Sequence, residues 1–145
     1  MTRALIVLVC AMLAACGPSQ SRQGVDLTNE APWAYRTPHG ADVAAVYLEL
    51  TAWEATTLLS ASTPIAERIE IHSSSEANGV MKMRRMEWVP LEAGKPFRFE
   101  PGGAHFMLIG LRQPLVAGTE FDITLNFDRG YSMMANVHVV ELGSR

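Results

Sequence analysis

The chain has 145 residues, of which 48% are hydrophobic and 19% charged, and a formal net charge of -3 at pH 7. This length suits one domain around one hydrophobic core, and the composition has none of the biases of disordered or collagen-like chains. Nucleic-acid binders usually cluster an excess of Lys and Arg, so the charge argues against a nucleic-acid partner.

The N-terminus has the pattern of a bacterial export signal. Arg3 precedes an apolar run at residues 4–13, which is too short to span a membrane and typical of a signal peptide. The run ends in Leu-Ala-Ala-Cys, which resembles a lipobox, the motif whose cysteine is lipidated and becomes the mature N-terminus. We therefore predict a signal peptide at residues 1–15 and a periplasm-facing lipoprotein anchored to a membrane through Cys16. An ordinary secretory signal cleaved near Ala15 is the alternative, and both interpretations predict export.

The predicted processing also decides the cysteine chemistry. Cys10 leaves with the signal peptide and Cys16 becomes a thioether, so the mature domain is predicted to have no thiol. This excludes disulfides, blue-copper centres, iron–sulfur clusters and Cys-based zinc sites from the domain.

The rest of the chain has the pattern of an all-β domain. Residues 16–32 are polar and aperiodic and are predicted to form a flexible tether, followed by a folded domain at residues 33–142. Short strands separated by turn residues favour an antiparallel sandwich or barrel. Residues 56–66 are predicted to hold a short helical turn. The seven predicted strands, a number that suits a Greek-key sandwich, cover residues 43–50, 67–72, 80–88, 96–99, 105–108, 120–127 and 135–142.

Histidine and methionine are the candidate functional residues of an exported domain without thiols. Imidazole and thioether suit Cu(I), and thioether does not form disulfides in an oxidising compartment. The Asn-Gly pair at residues 78–79 predicts a hairpin in which His72 and Met83 are cross-strand neighbours. Residues two apart share a face of a strand, so His105 and Met107 are predicted to point the same way.

Met81 is a further candidate because it shares the predicted face of Met83. It is predicted either to be an accessory copper ligand or to pack beside the metal.

The four candidate ligands follow a fixed spacing: His72, ten residues, Met83, twenty-one residues, His105, one residue, Met107. This pattern resembles the signature of the PCuAC family of periplasmic copper chaperones. The similarity extends to about residues 33–141, and it is carried by three segments: Ala-Val-Tyr-Leu at 45–48, Pro-Gly-Gly-Ala-His-Phe-Met-Leu at 101–108 and Leu-Arg-Gln-Pro-Leu at 111–115.

The resemblance implies a cupredoxin-like Greek-key β-sandwich of about seven to nine strands that binds one Cu(I) through the four residues. It also implies delivery of copper to the assembling copper centre of cytochrome c oxidase, with the copper-site subunit of the oxidase and a thioredoxin-like copper protein as partners. Four neutral ligands would leave the charge of the ion uncompensated, so we expect the site to lie near water or polar groups.

Two other functional classes have less support. The main alternative is a lipid-anchored envelope binding or assembly module in which the four residues no longer bind metal. An enzyme is not predicted, because no Ser-His-acid or paired-carboxylate motif occurs in a recognisable context. Binding of Cu(I) to the purified domain separates the chaperone from the assembly module.

Overall fold

The computed structural model describes residues 24–145, and the predicted signal peptide and Cys16 lie outside this part of the chain. No helix among the described residues is long and apolar enough to cross a bilayer. Within residues 24–145, eleven strands and one short 3-10 helix, Asp128–Gly130, account for the regular structure. The strands are β1 Val25–Leu27, β2 Trp33–Tyr35, β3 Val43–Ala52, β4 Thr56–Ser62, β5 Ala66–Ala77, β6 Val80–Met86, β7 Val89–Leu91, β8 Pro96–Phe99, β9 Ala104–Leu111, β10 Glu120–Phe127 and β11 Ser132–Val140.

All eleven strands are joined by backbone hydrogen bonds into one sheet. Its order is β6-β5-β9-β8-β3-β2-β11-β10-β4-β7, with β1 paired to β3 and a second pairing between β9 and β3. Most pairs are antiparallel, whereas β2 with β11 and β8 with β9 are parallel. The all-β prediction is confirmed, but the strand count is eleven rather than seven to nine.

Alternation along the long strands produces the core. On β3, Val46, Leu48 and Leu50 point inward, and their neighbours Ala45, Tyr47 and Thr51 are partly exposed. The buried hydrophobic residues of β9, β10 and β11 belong to the same single cluster. Because each fully buried Val, Leu or Phe side chain stabilises the fold by about 1.5–3 kcal/mol, this alternation fixes which face of each strand looks outward.

The folded part begins earlier than predicted. The sequence places residues 16–32 in a flexible tether, but Val25–Leu27 pairs with the end of β3, and the Val25 side chain is buried. A strand of three residues is too short to show a pattern in the sequence. It forms because the edge of β3 beyond β2 leaves backbone groups that β1 can pair with.

Two other local predictions are wrong. The stretch predicted to hold a helical turn is largely β4, Thr56–Ser62, which pairs with β10 and β7 and buries Leu58. The strand predicted at residues 80–88 ends earlier, at Met86, where the pairing of β6 with β5 stops, and a separate strand, β7, begins at Val89 and pairs with β4. Strands β4 and β7 pair with segments that lie far away in the chain, and the local sequence does not encode these pairings.

Glu49 is the buried carboxylate of β3 and makes the stability of the domain sensitive to acid. The hydrogen bond from Arg98 and those from Thr28 and Asn29 hold the pKa of the Glu49 carboxyl below its usual value of 4.5. A depressed folded-state pKa stabilises the fold above the unfolded-state pKa, and this contribution is lost as pH falls through the folded value.

We expect the free energy of unfolding of the apo-protein to fall as the pH is lowered from about 7 to about 3, and Glu49→Gln to reduce this fall. Urea denaturation at both pH values measures it. Glu141→Gln is the matched control, because Glu141 forms only an exposed ion pair with Arg36. An identical acid dependence in the wild type and in Glu49→Gln would contradict the assignment.

Candidate functional site

The β5–β6 hairpin supplies the first two candidate ligands. Asn78 and Gly79 both have positive φ, 56° and 74°, as a two-residue hairpin turn of type I′ requires. The register places Met83 opposite Ser74, so Met83 is the diagonal neighbour of His72 rather than its direct partner. The Met83 Sδ atom nevertheless lies 3.1 Å from His72 Nδ1, so the hairpin brings the two side chains together.

Strand β9 supplies the other two candidate ligands. It pairs with β5 so that His105 lies directly opposite His72, and the centroids of the two imidazole rings are 5.9 Å apart. Met107 lies two residues further along β9, opposite Glu70. Phe106 between them points inward, is fully buried and stacks on Phe99. The outward positions of three adjacent strands therefore place two imidazoles and two thioethers on one patch of the sheet.

Hydrogen bonds identify which ring nitrogens remain available. His72 Nε2 lies 3.0 Å from Glu70 Oε2, and His105 Nδ1 lies 3.2 Å from the carbonyl oxygen of Gly103. Both acceptors require an N–H, so we assign the proton to Nε2 of His72 and to Nδ1 of His105. The free lone pairs are then on Nδ1 of His72, which faces Met83, and on Nε2 of His105.

Glu70 is a site residue that the sequence prediction omits. Hydrogen bonds from His72 and Arg68, and the charge of Arg85, hold the pKa of the Glu70 carboxyl below its usual range, so the group is ionised near neutral pH. A carboxylate therefore lies one hydrogen bond away from a candidate ligand, but it is also paired with Arg68 and Arg85, so the charge of a bound ion would still be uncompensated. The alternation at residues 68–72 was the available signal, since it puts Glu70 on the face of His72.

Exposure differs sharply among the candidate ligands. His105 is 6% exposed, the His72 side chain 15%, and Met107 is half-buried, whereas Met83 is 54% exposed. Within residues 24–145, no three His, Cys, Asp or Glu side chains form a metal-binding group. The candidate site is instead a mixed set of two imidazole nitrogens and two thioether sulfurs. The site is thus a partly shielded pair of imidazoles with an open thioether on one side.

Met81 is separated from this patch. It is exposed and shares the outward face of Met83, but it lies opposite Glu76, four residues from His72 along β5. At about 3.3 Å per residue, this spacing is roughly 13 Å. The structure therefore places Met81 towards the tip of the hairpin rather than beside the two histidines.

The position of Glu70 leads to a prediction about copper affinity. Glu70→Gln keeps the size of the side chain but removes its charge and weakens its hold on His72, so Cu(I) should bind about tenfold more weakly. Competition against a Cu(I) chelator measures this affinity. Glu76→Gln, an exposed change on the same strand, should leave it unchanged. Equal losses in the two variants would mean that Glu70 has no specific role.

Comparison with known proteins identifies the family of this chain. The model of the LpqE-like family, described as "Putative lipoprotein LpqE-like", matches residues 27–139. The chain belongs to the LpqE-like family. The chain is also similar to "Putative lipoprotein Lxx21020" of Leifsonia xyli subsp. xyli. The two are 27% identical over 114 residues, which cover 78% of this chain and 68% of that protein.

Solved structures share the fold of this LpqE-like chain. The copper-bound PCuAC domain from PmoF2 superposes with a TM-score of 0.67 at 18% identity, over 82% of this chain and 95% of that domain. The solution structure of CuI-DR1885 from Deinococcus radiodurans gives 0.66 at 23% identity, over 86% of this chain and 85% of that one. The chain shares its β fold with these PCuAC structures, so the predicted cupredoxin-like β fold is confirmed.

Proposed function

We propose that this chain binds one Cu(I) ion and passes it to an acceptor protein as a copper chaperone. The proposed ligands are Nδ1 of His72, Nε2 of His105 and the thioether sulfurs of Met83 and Met107. The observation that carries the proposal is the convergence of these donors across β6, β5 and β9, with Met83 Sδ 3.1 Å from the free nitrogen of His72.

The donor chemistry favours the cuprous ion as the cargo. Thioethers are soft, neutral ligands that bind Cu(I) well and hard cations poorly, and imidazole suits copper in either oxidation state. The Glu70 carboxylate beside His72 holds the imidazole in place through a hydrogen bond without itself being a ligand. A half-buried site of this kind holds copper and leaves it accessible to an acceptor.

The comparisons support the same proposal. One structure with the same fold is a copper-bound PCuAC domain, and another is a Cu(I) form of the protein DR1885. The cargo of those proteins matches the donor set present here. We propose that this chain shares their copper chemistry and has no catalytic activity of its own.

The N-terminal sequence and the lipoprotein relatives support a place of action at the cell envelope. We propose that lipidation of Cys16 anchors the domain to a membrane and that copper is exchanged on the periplasmic side. The proposed acceptor is the copper-site subunit of cytochrome c oxidase, with a thioredoxin-like copper protein as a second partner, as the resemblance to PCuAC chaperones implies.

The proposal is tested by loading the purified chain with copper under reducing conditions. We expect one equivalent of Cu(I) to bind and X-ray absorption to show sulfur scatterers. Replacing Met83 and Met107 together with His supplies harder nitrogen donors, so the double variant should bind Cu(I) more weakly and Cu(II) more tightly. Met134→His, an exposed change on β11, is the control and should change neither preference.

Absence of Cu(I) binding would leave the domain as an envelope assembly module. Binding without any sulfur scatterer would remove Met83 and Met107 from the ligand set.

A further inference from the structure

The four donors of the proposed site differ in how far another protein can reach them. Three of the four donors are shielded, His105 almost completely, and only the Met83 side chain is more than half exposed. Met83 belongs to β6, which is one of the two edge strands of the sheet among the described residues. The most exposed donor of the proposed site therefore lies at this edge, where a donor atom of another protein can reach it.

Strand β6 has an unusual surface. Six of its seven residues are exposed, and the exception is Met86. Met81 and Met83 lie on the face of β6 that carries the proposed site, and Lys82 and Arg84 lie on the opposite face. Both faces of the strand are exposed to solvent at these positions. Within residues 24–145, neither Lys82 nor Arg84 takes part in an ion pair, and Arg85 makes a long one with Glu70.

The charge of β6 is opposite to that of the whole chain. Its residues include three cations and no acid, whereas the sequence has a net charge of -3. Charges within the Debye length of about 8 Å act on an approaching partner, and Lys82 and Arg84 are the chain neighbours of Met83. Methionine and arginine are also enriched in protein interfaces.

We propose that β6 is the docking surface for a copper-exchanging protein whose copper site has an acidic rim; this inference rests on the proposed function. The exposed thioethers of Met81 and Met83 contact the partner, and the cations of β6 orient it. In the transfer step, a nitrogen or sulfur donor of the partner forms a bond to Cu(I) as the bond from Met83 Sδ breaks. No electron is transferred, and copper remains Cu(I).

The cations have one competing explanation. Charged residues on an exposed edge strand prevent it from pairing with another copy of the chain. Under that explanation, removing a cation would promote self-association and would leave copper transfer unchanged. The two roles are separated by measuring both quantities on the same variants.

The experiment uses the Cu(I)-loaded chain and two synthetic acceptor peptides. Both peptides have the same Met-x-x-Met core and the same copper-quenched fluorophore, and their flanks are either Asp or Lys. Stopped-flow fluorescence at low salt should show transfer to the Asp peptide roughly tenfold faster than to the Lys peptide. Added salt should reduce this preference.

The variant that tests the surface is Arg84→Glu, with Arg112→Glu as its matched control. Arg112 is also exposed, but it lies just beyond the end of β9 and seven residues from His105, a separation of up to about 23 Å. Arg84→Glu should remove the preference for the Asp peptide without changing Cu(I) affinity, and Arg112→Glu should change neither.

Four outcomes decide the proposal. Loss of the preference in Arg84→Glu alone supports it. Equal rates for both peptides with the wild type overturn it, as does an unchanged preference in Arg84→Glu together with dimer formation in sedimentation. A wild-type chain that holds no Cu(I) contradicts the proposed function itself, and the docking surface with it.

Discussion

Replacing His105 with alanine should weaken Cu(I) binding by about a hundredfold or more, which corresponds to about 2.7 kcal/mol of binding free energy. His105 is the most deeply buried of the proposed ligands, and its ring is fixed by the Gly103 carbonyl. Water cannot replace a buried imidazole donor to a soft ion. Competition with a Cu(I) chelator measures the loss.

His138→Ala is the control for this prediction. His138 lies on β11, where it contacts Glu120 instead of the proposed site, so its removal should leave Cu(I) affinity unchanged. If both alanine variants bound copper as tightly as the wild type, neither histidine would be a ligand and the chaperone proposal would fail.

Replacing Phe106 with alanine should lower the free energy of unfolding by about 3–5 kcal/mol. The Phe106 ring is fully buried and stacks on Phe99 at a centroid distance of 4.3 Å, so its removal leaves a cavity at the centre of the core. Urea denaturation of the apo-protein measures the loss. Phe106→Leu, which fills part of the cavity, should cost clearly less.

The matched exposed change is Leu59→Ala, because Leu59 lies on β4 with half of its surface in solvent. Its cost should stay below about 1 kcal/mol. A small effect at Phe106 would mean that the core tolerates a cavity beneath β9 and would contradict the central place of this ring in the packing.

Local pattern predicted the parts of the fold that depend on neighbours in the chain. The Asn-Gly turn at residues 78–79 predicted the β5–β6 hairpin, and its two positive φ angles explain why. Strands β8 and β10 end where the sequence predicted, at Phe99 and Phe127. In each case the information lies in a turn residue or in alternation within a few positions.

Pairing between distant segments could not be predicted in the same way. Strand β1 is three residues long and exists because Val25 meets Ala52, twenty-seven positions later. The division of residues 80–91 into two strands reflects two different partners, β5 and β4. A single sequence contains no signal for either choice, since the energy comes from contacts that form only in the folded chain.

The candidate site was likewise predictable from the sequence only in part. Spacing identified His72, Met83, His105 and Met107, and the structure brings His72 next to both Met83 and His105. The contribution of Glu70 was available only in part, because alternation gives the face of a residue but no distance. The choice between the two nitrogens of each imidazole depends on hydrogen-bond acceptors and was beyond the sequence.

Strand β9 has consequences for how the domain withstands mutation. Its outward residues, His105 and Met107, alternate with the inward residues Phe106 and Leu108. Deleting one residue from this strand would turn the proposed ligands into the interior and expose the aromatic ring. Insertions and deletions in β9 should therefore disrupt the core and the proposed copper site together, so that a variant of this strand that remains folded should also keep His105 and Met107 on the outward face.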